Sequence, residues 1–141
     1  MWTTRRGLRG SDLNKYRKPK QMLETVFFET NGVTCTYSGN ANLQEILKAI
    51  AQYLTHPNCS GFKYIVHDFT RVESFTYLEE EFASLVTYAM KNYQDADYTP
   101  RCAVTQNDTV RRCLDLYAEL TGRKWNFVPT LSAASEWANA R

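Results

Sequence analysis

Three groups of side chains in this sequence are of types that do chemistry. Cys102 or Cys113 as nucleophile, His67 as base and Asp68 as orienting acid would form a thiol–imidazole–carboxylate set. Glu79, Glu80 and Glu81 offer three consecutive carboxylates to a metal ion. Asp68, Thr70, Arg71, Ser74 and Thr76, with Asn107 and Asp108 further along, place hydroxyls, an amide and charges next to two expected helix starts. A phosphate added there would meet helix N–H groups, with Arg71 nearby, and could order the chain around it.

Geometry argues against the first two groups. His67 and Asp68 are neighbours in a short apolar run that reads as a strand, so their side chains point to opposite faces and Asp68 cannot orient His67. Three successive glutamates on a helix point in three directions and do not share one ion. No nucleophile elbow, glycine-rich phosphate loop or paired set of metal ligands is present. The four cysteines (Cys35, Cys59, Cys102, Cys113) show no C-x-x-C pair and read as small core residues kept reduced in a cytosol. His56, ahead of Pro57, reads as a helix-end cap or a surface residue. No metal and no cofactor are expected, and a cysteine-dependent enzyme is the weakest reading.

The third group survives. In open α/β sheets, binding gathers where strands end and helices begin. That rule selects the stretches 68–76 and 106–108, both expected to be loops. Thr76 and Asp108 also fit plain helix capping, worth about 1 kcal/mol each. Asp68 is different, because an acid closing an apolar strand is costly unless it is paired or used.

The elements that hold these residues follow from pattern. Strands are expected at Glu24–Thr30 and Val33–Ser38, the latter with Val33, Cys35 and Tyr37 on one face. Asn31-Gly32 between them is a hairpin signal, since both positions tolerate positive φ. Leu43, Ile46, Leu47, Ile50 and Leu54 recur at helical spacing, with Asn42 and Glu45 placed to cap the start. Lys63–Phe69 is the buried strand already mentioned. Thr76 and Glu79 make a capping box for a helix carrying Leu78, Phe82, Leu85, Val86, Ala89 and Tyr93. Arg101–Thr105 is a strand, with Asn107 or Asp108 capping the helix of Val110, Cys113, Leu114, Tyr117 and Leu120 that Gly122 stops. Trp125–Val128 is the last strand, and Pro129-Thr130 opens a helix with Leu131, Ala134 and Trp137. The order β-β-α-β-α-β-α-β-α predicts one α/β domain: a mixed, mostly parallel five-stranded sheet with an antiparallel N-terminal hairpin, sandwiched by about four helices.

Composition agrees with a single domain. The chain has 141 residues, 43% of them hydrophobic, a net charge of +2 and no apolar run long enough to span a membrane. Charge is uneven. Residues 1–20 hold seven basic side chains against Asp12, a balance of +6 that leaves −4 for the rest. Residues 1–21 are therefore expected to be a basic, disordered leader, with 22–141 as the folded domain. Nucleic acid is not an expected partner, and Met22 offers itself as an alternative start.

Gly32-Val33-Thr34, the Leu43–Glu45–Leu47 helix, His56-Pro57, Tyr64-Ile65-Val66-His67-Asp68-Phe69, Cys102-Ala103-Val104-Thr105 and Ala134-Ser135-Glu136-Trp137 come in a telling order. Over residues 22–140 the chain resembles the SpoIIAA-like, or STAS-like, group of small bacterial proteins. The resemblance implies a β/α superhelix with no cofactor and no established chemistry. Anti-anti-sigma relatives carry a phosphorylatable serine or threonine in a D-S-S-G-like loop after this third strand. Here the stretch from Asp68 to Thr76 has neither that motif nor a glycine, which leaves a phospho-switch without its sequence.

The expectation is a non-enzymatic, cytoplasmic regulatory or protein-interaction module. It would dock a protein partner through the loop after the third strand and the second helix. Phe75, Tyr77, Phe82, Tyr88 and Tyr93 around that helix keep a second reading open, a small apolar-ligand or lipid-binding module. Self-association into a homodimer stays open as well.

Overall fold

The computed structural model describes residues 25–93 and 99–141, leaving aside the side chains of Thr25, Glu81, Leu85, Tyr88, Ala89, Met90, Asn92 and Tyr93. The expected leader, and the places of Leu85, Tyr88, Ala89 and Tyr93 in the second helix's apolar stripe, therefore lie outside the described residues. The elements are β1 (Thr25–Phe28), β2 (Gly32–Asn42), α1 (Leu43–Leu54), a 3-10 turn (Cys59–Gly61), β3 (Tyr64–Thr76), α2 (Glu79–Tyr93), β4 (Arg101–Val104), α3 (Asp108–Thr121), β5 (Trp125–Val128) and α4 (Leu131–Asn139).

The five strands lie side by side in chain order, β1 antiparallel to β2 and every later pair parallel. Three successive right-handed crossovers moving the same way across a sheet must put their helices on the same face. Accordingly α1, α2 and α3 bury Ile46, Ile50, Phe82, Val86, Val110 and Leu114 in one cluster with Val33, Cys35, Tyr37, Ile65 and Phe69. Among the described residues only α4 crosses to the other face, where Ala134 packs on Val66, Cys102 and Val104. The expected sandwich is thus lopsided, three helices against one.

Local signals explain most boundaries. Asn42 Oδ1 accepts the Glu45 N–H at 3.0 Å and starts α1. Gly122 stops α3 at φ 73°, a left-handed conformation that favours glycine. Thr130 Oγ1 accepts the Ala133 N–H and starts α4. The hairpin forms at Asn31-Gly32, but Gly32 does not take positive φ. Its need is space: a Cβ there would sit 2.5 Å from the Tyr64 ring. Gly32→Ala is therefore expected to cost about 1–3 kcal/mol in urea unfolding through overpacking, and Tyr64→Ala in the same chain to return part of that loss.

The largest departure is β3. It does not end at Phe69 but runs to Thr76, so the expected loop 68–76 is strand, paired with a β2 that itself runs to Asn42. Two register shifts make this possible. Thr36 pairs with Asp68 but Ser38 with Arg71, and Gly39 with Val72 but Asn40 with Ser74, so β3 carries one extra residue at each step. Each bulge re-aims the strand. Phe69, Val72 and Phe75, three residues apart, all reach the core that a regular strand would offer only at every second position. The capping box fails with the loop: α2 starts at Glu79, and Thr76 is the last residue of β3, opposite Asn42. Leu78, expected in the apolar stripe, precedes the helix and is 56% exposed.

Candidate functional site

Beyond Asp68 and Val104, β3 and β4 part company. The chain after β4 rises into α3 on one face, and the chain after β5 descends into α4 on the other. A crevice must open where such connections diverge at the carboxyl ends of the strands. The cleft found there measures 350 Å³ and is lined by Phe69, Thr70, Val72, Gln106, Asn107 and Pro129. The Gln106 Nε2–H donates to Pro129 O at 3.3 Å and bridges the two diverging connections. Its lining mixes three apolar side chains with two amides and one hydroxyl, and the α3 and α4 N-termini flank it.

Of the seven residues expected at a site, Thr70 and Asn107 line this cleft. Asp68 stands behind it, 5% exposed, and its Oδ1 accepts the Thr70 N–H at 2.8 Å. That bond answers the cost of burying the acid: Asp68 fixes the backbone where β3 bulges. Asn107, not Asp108, caps α3, its Oδ1 accepting from the Thr109 and Val110 N–H groups at 2.9 and 3.0 Å. Asp108 is the exposed first helical residue and does not reach the cleft. Arg71, Ser74 and Thr76 are exposed along the far half of β3, where the Ser74 hydroxyl donates to Asn40 Oδ1 at 2.7 Å. Arg112 Nη2 lies 3.5 Å from Glu79 Oε1 and links the starts of α3 and α2 across the surface. The seven residues thus divide between a cleft and an exposed strand tail beside it.

The cysteine set is not assembled. Cys102 pairs in register with Val66 and packs on the α4 face, whereas His67 faces the opposite core. Burial pushes the Cys102 thiol up to about 11 and the Cys113 thiol up to about 12, which keeps both protonated at neutral pH. Among the described residues no three His, Cys, Asp or Glu side chains come together as a metal site.

Inside the core lies a polar cluster that pattern reading missed. His67 is fully buried, with Nδ1 2.9 Å from the Tyr37 hydroxyl and Nε2 3.2 Å from the Tyr53 hydroxyl. Arg101, 2% exposed, hydrogen-bonds the hydroxyls of Tyr117, at 3.4 Å, and Tyr53. Its guanidinium sits within 5.8 Å of the Tyr53, Tyr117 and Trp125 ring centres. Tyr53 lies in the last turn of α1 and Tyr117 near the end of α3, so the cation rests between two helix C-termini, whose carbonyl ends favour positive charge. Arginine only donates. The Tyr53 and Tyr117 oxygens therefore accept from it, and each imidazole nitrogen of His67 shares a hydrogen bond with one tyrosine hydroxyl. Burial, reinforced by the Arg101 charge, holds His67 well below its ordinary range, and burial pushes the Tyr53 hydroxyl up. The only available signal was the phase of His67 with Ile65 and Phe69.

No protein-family model matches the chain, and no curated protein is similar to it in sequence. Solved structures do match. The anti-sigma factor antagonist SpoIIAA in its unphosphorylated form is 14% identical with a TM-score of 0.54, covering 84% of this chain and 98% of its own. An anti-sigma factor antagonist from Mycobacterium paratuberculosis is 15% identical with a TM-score of 0.51, covering 86% and 97%. An uncharacterised protein with a SpoIIAA-like fold from Shewanella loihica is 8% identical with a TM-score of 0.50, covering 83% and 93%. The lopsided sheet described above is therefore the SpoIIAA-like, or STAS-like, α/β fold.

Proposed function

We propose that the chain is a non-enzymatic, cytoplasmic regulatory module whose single domain docks a protein partner on the carboxyl edge of its sheet. The observation that carries this reading is the cleft between Thr70 and Asn107, opened by helices leaving for opposite faces and continued by the exposed strand tail to Leu78. An apolar side chain that is 56% exposed between a strand and a helix supplies what a partner's anchor needs. The fold supports the same direction, since two of its solved neighbours are anti-sigma factor antagonists. Arg71, Ser74 and Thr76 would form the polar rim, and Asp68 would act from below by holding Thr70. No helix among the described residues is long and apolar enough to cross a membrane.

Photo-crosslinking tests this. A crosslinker at Thr70 is expected to give one dominant protein adduct in the host cell, abolished by Leu78→Asp and not reproduced from Glu119, an exposed position on α3. Leu78→Asp should leave the melting temperature unchanged. Equal adducts from positions 70 and 119, or adducts indifferent to Leu78→Asp, would remove this edge from consideration. An apolar-ligand module would instead show a bound small molecule in native mass spectra.

A further inference from the structure

At the opposite, amino edge a second cleft of 340 Å³ opens between the β1–β2 turn and the connection from α1 to β3. One wall is aromatic. Phe28 stacks on His56 with centroids 4.0 Å apart and lies 5.9 Å from Phe62, yet 43% of it remains open. The Asn58 N–H donates to His56 Nδ1 at 3.1 Å. The polar wall is Glu29. Its Oε1 accepts from both the Thr34 hydroxyl (3.1 Å) and the Tyr64 hydroxyl (2.9 Å), which fixes the carboxylate before anything binds. No cation among the described residues pairs with it.

A fixed carboxylate beside open aromatic faces suits a planar cation, which can stack on a ring and pair with both carboxylate oxygens. We propose that this cleft docks an arginine side chain from the chain's own residues 1–24. Those residues join the described structure at Thr25, three residues before Phe28 and so roughly 10 Å away along β1. They include Arg5, Arg6, Arg9 and Arg17. The eight residues from Arg17 to Thr25 span up to about 26 Å fully extended, more than that distance. Charge is complementary, +6 in residues 1–20 against −4 in the remainder. Tethering raises the local arginine concentration to the order of millimolar, within the range a single stacked ion pair needs.

The test uses the full chain and amide NMR. Changing Arg5, Arg6, Arg9 and Arg17 to Gln is expected to move the signals of Glu29, Asn58, Ser60 and Gly61, and Glu29→Gln to move the same set. N-acetyl-arginine amide should then bind the four-Gln variant roughly threefold or more tighter than wild type, and should not bind the Glu29→Gln or Phe28→Ala chain. Cleft signals indifferent to the arginine changes would overturn the proposal. So would equal affinity for wild type and the four-Gln variant, or shifts that grow with protein concentration and thereby assign the arginine to another copy. Because the two clefts lie on opposite edges, failure here leaves the carboxyl-edge docking surface untouched.

Discussion

His67→Phe is expected to destabilise the fold by about 2–4 kcal/mol, and the triple change His67→Phe, Tyr37→Phe, Tyr53→Phe to recover most of that loss. Phenylalanine fills the space of the imidazole but strands two buried hydroxyls, those 2.9 and 3.2 Å from its nitrogens. A stranded buried group costs its full desolvation, whereas removing both partners leaves an apolar core of similar shape. Recovery will be incomplete because Arg101 also uses the Tyr53 hydroxyl, although it keeps Tyr117 at 3.4 Å. Urea unfolding of the three chains measures the loss and the recovery. A single mutant within about 0.5 kcal/mol of wild type, the ordinary range for a surface change, would show that the cluster is not satisfied as described, as would a triple mutant weaker than the single.

The same histidine sets a dependence on pH. In the unfolded chain an imidazole takes up a proton near pH 6.5, but in the folded chain burial and Arg101 prevent this until well below it. The unfolded state therefore binds more protons as pH falls through 6.5, and the stability held above that pH is lost toward the lower folded value. The expected slope is about 1.4 kcal/mol per pH unit below about pH 6. Taking the difference between wild type and His67→Phe cancels His56 and the carboxylates. That difference should be flat above pH 7.5 and fall steadily toward pH 5. Parallel curves for the two chains would mean that His67 is protonated equally in both states.

How far the sequence disclosed this protein depends on whether a signal is local. Asn42, Thr130 and Gly122 start or stop helices through bonds to residues within four positions, and all three do what their types promise. Val33, Cys35 and Tyr37 alternate cleanly and are fully buried. The second half of β3 was illegible because its bulges break the period of two, so exposed Thr70, Arg71, Glu73 and Ser74 look like a loop. The site was half visible for the same reason. Thr70 and Asn107 do meet, but over 37 positions of sequence, and only the divergence of two helices makes a cleft between them. Arg101 shows the limit most sharply: an arginine opening a short strand reads as surface, and nothing nearby in the chain announces two helix ends and three rings waiting for it.

The paired extra residues of β3 also bear on how this protein will diverge. The first extra residue carries the strand from Phe69 to Val72 and the second from Val72 to Phe75, so each keeps one step of the tail pointing inward. A descendant that loses either extra residue, at 69–70 or at 73, returns that step to the ordinary period of two and keeps its aromatics inward, so single changes in length should be tolerated at these two places. Gapped comparison of distant kin will drift out of step along this tail, the very strip of surface offered to a partner.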